Sequence, residues 1–260
     1  MIRRLTAILA VVTAFAAASA PAAAEWLVTS LSKHRIQVTS NFGGEDLVLF
    51  GSVERDAATI PRRGGYDIVV TVTGPRKTFV TRRKERRLGI WINVDSREFD
   101  GTPTFLAVLT NRPVDQIASE DVRRRLKIGL DYQSLPQQNG ANVADVVPED
   151  AFRKAFIRIN VQHQLYQESA NAVTFLTPNL FRAAIPLPAS VPVGTYAIDV
   201  KLLADGALIA RTTSAFEVIK AGFEQIVADT AHQQPFLYGL ITALMALLTG
   251  WLASVVFRRD

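Results

Sequence analysis

The C-terminal part of the chain contains an uncharged apolar stretch that limits what the protein can be. Residues Phe236 to Phe257 include no Asp, Glu, Lys, Arg or His. As an α-helix, which rises about 1.5 Å per residue, the stretch is about 33 Å long and spans the roughly 30 Å hydrocarbon core of a bilayer. We therefore predict a transmembrane helix over residues 235–257.

The residues on either side of this span predict its orientation. Arg258 and Arg259 follow it directly, and the positive-inside rule assigns such residues to the cytoplasm. Residues 258–260 are then a cytoplasmic tail, and the long N-terminal part of the chain lies outside. Just before the span, the amphipathic pattern of residues 221–234 predicts a short juxtamembrane helix.

The N-terminus has the features of a secretory signal peptide. Arg3 and Arg4 precede an apolar run from Leu5 to Phe15 and then an Ala-rich stretch. We predict cleavage before Glu25, which removes residues 1–24. An uncleaved anchor is the alternative, but the apolar run is shorter than the roughly 20 residues that a span needs. The predicted location is the bacterial inner membrane, crossed once, with the N-terminal domain in the periplasm.

The composition of the exported part argues against two classes of protein. The formal net charge of the chain is +5, and Arg3, Arg4 and the cytoplasmic tail account for three of these charges, which leaves +2. Clustered Lys and Arg dominate affinity for nucleic acid, so a nearly neutral domain is not expected to bind it. The chain has no Cys and therefore no disulfide or thiolate metal site, so a domain over residues 25–220 must be stabilised by its core.

Alternating apolar and polar residues predict strands in much of this domain. The predicted strands lie near residues 36–38, 47–53, 68–72, 88–94, 104–109, 172–177, 180–188, 196–203 and 207–219. The segment from Leu187 to Val200 resembles the late strands of immunoglobulin-like sandwiches, with Tyr196 in the place of the corner tyrosine. The predicted fold is mainly β with a helical insertion (α+β), built on an immunoglobulin-like β-sandwich.

A change to helical periodicity predicts that insertion at about residues 111–170. It comprises a helix from Pro113 to about Lys127, a loop from Gln133 to Asn142 and a second helix from Pro148 to Tyr166. His163 and Tyr166 are expected on the apolar face of the second helix. Trp91 is expected to pack beneath the inserted helices, because they must cover an apolar surface. A partner-binding role for Trp91 is the alternative.

The transmembrane segment separates its small residues from its bulky ones. At about 100° per residue, eight small residues fall within an arc of about 140°. They are Gly239, Thr242, Ala243, Ala246, Thr249, Gly250, Ala253 and Ser254. Small residues let helices approach closely, and the hydroxyl groups of Thr242 and Thr249 could bond across a helix pair. We interpret the stripe as a helix-packing surface; the alternative is that such residues are simply common in membrane helices.

A run of five cations and one carboxylate is the second candidate site. Its anion-binding candidates are Arg82, Arg83, Lys84, Arg86 and Arg87. Such a cluster attracts phosphate, sulfonate or lipid headgroups. The alternative is a solvated hairpin loop between a strand that ends near Thr81 and one that begins near Leu88, since charged residues are frequent in exposed loops.

The sequence contains no motif that predicts catalysis or a cofactor. None of His34, His163 and His232 has a second metal ligand at helical or strand spacing, so no metal site is expected. An unrecognised hydrolase, with catalytic acids on separate loops, remains an alternative class.

Several segments together indicate a family. They are FGGEDLVLFGSV, YDIVVTVTGP, the basic RRK followed by GIWINV, and FEQ leading into one span. From about Leu27 onwards the chain resembles a family of uncharacterised alphaproteobacterial transmembrane proteins with an exported β-rich domain. That family has no assigned activity or catalytic residues, so the resemblance implies no site. It implies a membrane partner, a neighbouring exporter of the sulfite or organosulfonate type.

These observations favour a non-enzymatic, membrane-anchored periplasmic accessory or scaffold protein. We expect it to dock through its transmembrane helix to a second copy or to a membrane partner such as an anion exporter. The alternative is an autonomous periplasmic protein that binds anions or lipid headgroups through residues 82–87.

Overall fold

The computed structural model describes residues 25–56, 65–139, 142–145, 150–222, 227 and 231–256. The predicted signal peptide, the cytoplasmic tail and part of the predicted juxtamembrane helix lie outside the described residues. The strands are β1 (Glu25–Leu31), β2 (Arg35–Val38), β3 (Gly44–Arg55), β4 (Asp67–Thr73), β5 (Arg76–Arg87), β6 (Ile90–Pro103), β7 (Leu106–Thr110), β8 (Pro136–Asn139), β9 (Asn142–Asp145), β10 (Tyr166–Ser169), β11 (Val173–Phe175), β12 (Leu180–Pro188), β13 (Gly194–Ala204) and β14 (Ala207–Lys220). The helices are α1 (Val114–Ile117), α2 (Glu120–Leu126), α3 (Ala151–Gln162) and α4 (Pro235–Val256), with a 3-10 turn at Leu130–Tyr132.

The strands form three sheets, so the described chain is mainly β, as predicted. The first sheet has the order β1-β3-β12-β11 and is antiparallel throughout. The second has the order β10-β7-β4-β13-β14-β2, in which the two outermost pairs are parallel. The third, β5-β6-β8-β9, is antiparallel. Every predicted strand overlaps an observed one. Strands β1, β8, β9 and β10 were missed, and β1 was missed because Trp26 and Val28 of its exposed face are apolar too.

The first two sheets share one hydrophobic core. Alternation along the strands places every second side chain in it, as in Phe181, Ala183, Ile185 and Leu187 of β12. From the second sheet, β13 contributes Tyr196, Ile198, Val200 and Leu202. Burying an aliphatic or aromatic side chain of this kind stabilises the fold by about 1.5–3 kcal/mol. The core therefore stabilises a domain that has no disulfide.

A second, smaller core lies on the other face of the second sheet. Val69, Val108 and Leu203 of this sheet pack there with Phe152 and Phe156 of α3. Covering this outer face explains why β4 is buried along most of its length instead of alternating. The helical region between β7 and β10 thus supplies the second layer of this core.

The helical region differs from the sequence prediction in three places. The first predicted helix is interrupted at Ala118 and Ser119, which separate α1 from α2. The predicted loop from Gln133 to Asn142 contains strand β8 and the start of β9. Helix α3 starts at Ala151 with Asp150 as its N-cap, and the carboxylate of Asp150 accepts a hydrogen bond from the backbone N–H of Arg153 at 2.8 Å.

The C-terminal end of α3 corrects the predicted position of two residues. The helix ends at Gln162, so His163 is its C-cap rather than a member of the apolar face. Gln164 has a φ of 60°, which turns the chain out of the helix. Tyr166 is then the first residue of β10, and its side chain is buried in the second core. Helical spacing had continued in the sequence beyond the point where the backbone leaves the helix.

Helix α4 forms at the predicted transmembrane segment. It is long and apolar enough to cross a membrane, and none of its residues is buried against the rest of the described chain. Of the predicted juxtamembrane helix, the described residues Val227 and 231–233 are helical. The described residues therefore form a β-rich domain followed by one long apolar helix.

Candidate functional site

The basic residues lie on the longest hairpin of the described structure rather than in a loop. Strand β5 runs through Arg87, and its pairing with β6 extends from Arg76 opposite Pro103 to Arg87 opposite Ile90. Only Leu88 and Gly89 connect the strands, and their φ values are 49° and 85°. Two consecutive positive φ values characterise a type I′ hairpin turn. The basic residues thus lie on an exposed hairpin, but they belong to strand β5, which continues past Thr81 to Arg87, and not to a loop.

The base of this hairpin is fixed to the second core by aromatic contacts. The ring centroid of Phe99 on β6 lies 4.7 Å from that of Phe156 on α3, and Phe79 on β5 lies 5.6 Å from the same ring. The guanidinium of Arg97 lies 5.0 Å from the ring centroid of Phe152. These contacts hold the proximal half of the hairpin in place. Most side chains of its distal half are exposed, whereas Glu85, Ile92 and Val94 are partly buried.

The distal half of the hairpin carries an excess of positive charge. Glu85 pairs with Arg83 at 3.6 Å and with Arg87 at 3.4 Å. In the described residues, Arg82, Lys84 and Arg86 have no carboxylate partner; the Nε–H of Arg86 donates to the carbonyl oxygen of Gly89 at 3.4 Å. Exposed ion pairs of this kind stabilise a fold only slightly, by about 0–1 kcal/mol. The cations are therefore available to an anion from outside the chain.

A cleft of about 250 Å³ separates β5 from α3 beside these cations. Its rim contains Arg82, Arg83 and Lys84 of β5 and Arg158 of α3. Phe152, Ala155 and Ile159 form its apolar wall, and no carboxylate is among its described lining residues. Such a cleft can attract an anion and accept a small apolar group attached to it.

The structure corrects the expected position of Trp91. Its side chain is 68% exposed and does not pack beneath the inserted helices. The inserted helices instead cover Val69, Val108 and Leu203 of the second sheet. Leu88 and Ile90 beside it are exposed as well.

The small residues of α4 form a continuous surface along the helix. The hydroxyl of Thr242 donates to the carbonyl oxygen of Tyr238 at 2.7 Å, and that of Thr249 donates to the carbonyl oxygen of Met245 at 2.8 Å. Both hydroxyls are thus satisfied within their own helix, so close helix packing here would rest on van der Waals contact. A Cβ atom added to Gly239 or Gly250 would meet nothing within 4 Å. The described chain itself therefore does not need glycine at either position.

A larger groove, of about 850 Å³, was not anticipated from the sequence. It lies along β13 and β14 and the C-terminal end of β4, next to the end of α2. Asp199, which lines the groove, accepts hydrogen bonds from Lys201, which is only 5% exposed, and from Arg211 at 2.6 Å. This hydrogen bond raises the pKa of the Arg211 guanidinium above its ordinary value. The alternating Asp199 and Lys201 were visible in the sequence as a polar strand face, but their partners were not.

The cations of this groove outnumber its carboxylates. Arg76, Arg125 and Lys127 also line it, and Asp199 is the one carboxylate among its described lining residues. These cations come from β5, from α2 and from the residue after α2, so only the folded chain brings them together. The groove is a second electropositive surface on the domain.

Nothing in the described part of the chain is arranged to hold a metal ion. No group of three or more His, Asp or Glu residues is close enough for that purpose among the described residues. His34, His163 and His232 belong to separate segments.

Two comparisons with known proteins bear on identity. A family model described as "Putative transmembrane protein (Alph_Pro_TM)" matches residues 26–259 of the chain. Among the curated proteins, no match to the chain was found.

Proposed function

Since the chain belongs to the Alph_Pro_TM family of transmembrane proteins over residues 26–259, we propose that it is a membrane-anchored, non-enzymatic accessory or scaffold protein. Its β domain lies in the periplasm, and its single helix α4 docks to a membrane partner, such as a sulfite or sulfonate exporter, or to a second copy. Arg258 and Arg259 support this orientation through the positive-inside rule.

The main support for this proposal is the small-residue surface of α4. Its glycines are not required by contacts within the described chain, and its threonine hydroxyls are turned back onto their own helix. Together, the glycines and threonines form a shallow helix face, and another helix can approach this face closely. A helix that served only as a lipid anchor has no need for its small residues to lie on one side.

Replacement of Gly250 tests this proposal in native membranes. Gly250→Leu adds bulk to the small-residue surface and should abolish cross-linking of α4 to its partner while insertion is kept. Val255→Leu adds bulk to the other side of α4, about 140° away, and should leave cross-linking unchanged. A wild-type chain that cross-links to nothing, or a Gly250→Leu chain that cross-links normally, contradicts the proposal.

A second candidate function is anion or lipid-headgroup binding by the basic hairpin. The cleft between β5 and α3 supports it, because four cations and an apolar wall meet there with no described carboxylate in the lining. We expect hexanesulfonate to bind more tightly than sulfate, since only the first also fills the apolar part. Calorimetry on the chain with Arg82, Arg83 and Lys84 replaced by Ser should show no binding. Lys154→Ser, an exposed change on α3 outside the cleft, is the control, and equal binding by all three chains removes this candidate.

We also propose that the β domain is immunoglobulin-like. The order β1-β3-β12-β11 corresponds to the A-B-E-D sheet of such domains, and β4, β13 and β14 correspond to strands C, F and G. The hydroxyl of Tyr196 donates to a carbonyl oxygen four residues upstream, as a corner tyrosine does. The hairpin β5–β6 and the helical region are then insertions on either side of β7. An experimental structure with another strand order in either sheet would contradict this assignment.

A further inference from the structure

The turn of the β5–β6 hairpin holds a residue that its backbone disfavours. Leu88 occupies the first turn position with a φ of 49°, where Asn, Asp and Gly are favoured because a larger side chain is sterically strained. Its side chain is also 104% exposed, so it forms no apolar contact in the described chain. Leucine is unfavourable at this position because its backbone is strained and because its apolar side chain is exposed to water. A contact outside the chain would account for its presence.

Two further exposed apolar residues adjoin Leu88. Ile90 is 64% exposed and Trp91 is 68% exposed. Each lies directly opposite a cation of the neighbouring strand, Ile90 opposite Arg87 and Trp91 opposite Arg86. The hairpin therefore ends in an apolar point surrounded by positive charge. We call Leu88, Ile90 and Trp91 the hairpin tip.

We propose that the hairpin tip inserts into the interfacial region of an anionic phospholipid bilayer, the same membrane in which α4 is anchored. Apolar side chains enter the acyl boundary of such a surface, Trp is favoured at headgroup level, and Lys and Arg attract anionic lipids. Arg82, Lys84 and Arg86, which have no carboxylate partner in the described chain, contact the lipid phosphates. The inference rests on membrane anchoring by α4 but not on any partner of α4.

The size of the tip favours a membrane over a protein partner. A specific protein interface buries at least about 1,000 Å² with complementary shape, which three side chains at one turn do not provide. A chain already anchored by a helix needs only a weak additional contact, because tethering keeps the bilayer at a high effective concentration. Charge complementarity between the basic hairpin and anionic headgroups supplies the attraction.

Fluorescence of Trp91 in the full chain tests the proposal. Trp26→Phe and Trp251→Phe leave Trp91 as the only tryptophan, and the chain is placed in nanodiscs of phosphatidylglycerol and phosphatidylcholine in equal parts or of phosphatidylcholine alone. Lipids brominated near the headgroup should quench Trp91 about threefold more strongly in the anionic discs. The difference should shrink at 1 M salt, where the Debye length is about 3 Å.

Leu88→Asn separates membrane contact from folding. Asn suits the turn, so this variant should melt at the same temperature as the parent or higher, yet its Trp91 quenching in anionic discs should be lost. Val193→Asn, which replaces an exposed apolar residue far from the hairpin in sequence, should change neither quantity. If brominated lipids quench Trp91 of the Leu88→Asn chain as strongly as in the parent, the proposal is overturned. It is also overturned if aqueous iodide quenches Trp91 equally in the anionic and the neutral discs. If the hairpin tip binds only a protein, iodide should quench Trp91 equally in both kinds of disc. If α4 fails to cross-link, only the proposed accessory function is contradicted, and the membrane contact of the hairpin tip is not.

Discussion

The phenolic hydroxyl of Tyr196 donates a hydrogen bond to the backbone carbonyl oxygen of Pro192, 2.6 Å away. The ring of Tyr196 is fully buried and stacks on Phe216 with a centroid separation of 4.9 Å. The bond therefore ties the connection between β12 and β13 to the main core. The bond closes the end of this connection that leads into β13, and a corner tyrosine bonds in the same way to the backbone a few residues upstream.

Removing that hydroxyl should weaken the fold without changing it. We expect Tyr196→Phe to lower the free energy of unfolding by about 1 kcal/mol, the usual value for one hydrogen bond. Thermal unfolding of the full chain in detergent should show a decrease of about 2–4 °C. Tyr132→Phe is the control, because the Tyr132 hydroxyl has no hydrogen-bond partner among the described residues. A Tyr196→Phe chain as stable as the parent would show that the bond contributes nothing.

Alkaline pH should destabilise the domain through two tyrosines. Burial raises the pKa of Tyr166 and of Tyr196 well above the ordinary value of 10. The folded state thus holds these protons more tightly than the unfolded state does. Their contribution to stability is complete below pH 10 and declines as the pH rises above it. Urea unfolding at pH 8, 10 and 11 should show this decline, and it should be smaller in the Tyr166→Phe, Tyr196→Phe double variant; an equal decline in both chains argues against these two groups.

Replacement of Gly51 by alanine should destabilise the domain. A Cβ atom at this position would overlap the buried ring of Phe181, with the ring's Cε1 atom only 2.7 Å away. Gly51→Ala should cost about 1–3 kcal/mol of stability through overpacking. Gly43→Ala is the matched control, since nothing lies within 4 Å of its added Cβ. If the clash is the cause, Phe181→Leu should cost less in the Gly51→Ala background than in the parent chain.

Asp199 should be essential for the stability of the domain, because its carboxylate neutralises the buried ammonium group of Lys201. Asp199→Asn leaves Lys201 buried without its anionic partner, which should cost about 3 kcal/mol or more in denaturant unfolding. Adding Lys201→Met should restore much of the loss, because an apolar side chain of similar length needs no partner there. Glu217→Gln breaks an exposed pair with Arg35 at 3.4 Å and should change stability by less than about 1 kcal/mol. Equal effects of the two carboxylate replacements would contradict this account.

Local patterns predicted most of the secondary structure. Strands β12 and β13 were predicted because their alternating apolar residues face one core. The prediction failed where the same residue pattern is compatible with two different structures. Tyr166 continued a helical spacing but belongs to a strand. Trp91 was expected to pack beneath the inserted helices, but it is exposed on the β5–β6 hairpin.

The sequence by itself determined that this protein has a β-rich domain and an apolar helix long enough to span a membrane, and that it belongs to its family. Hydropathy and residue spacing are properties of short segments, so they are readable without a fold. Only the tertiary structure decided that Leu88, Ile90 and Trp91 form an exposed tip, and that Arg76 and Arg125 share a groove with Asp199. Exposure and shared surfaces depend on which segments, distant in the chain, cover one another.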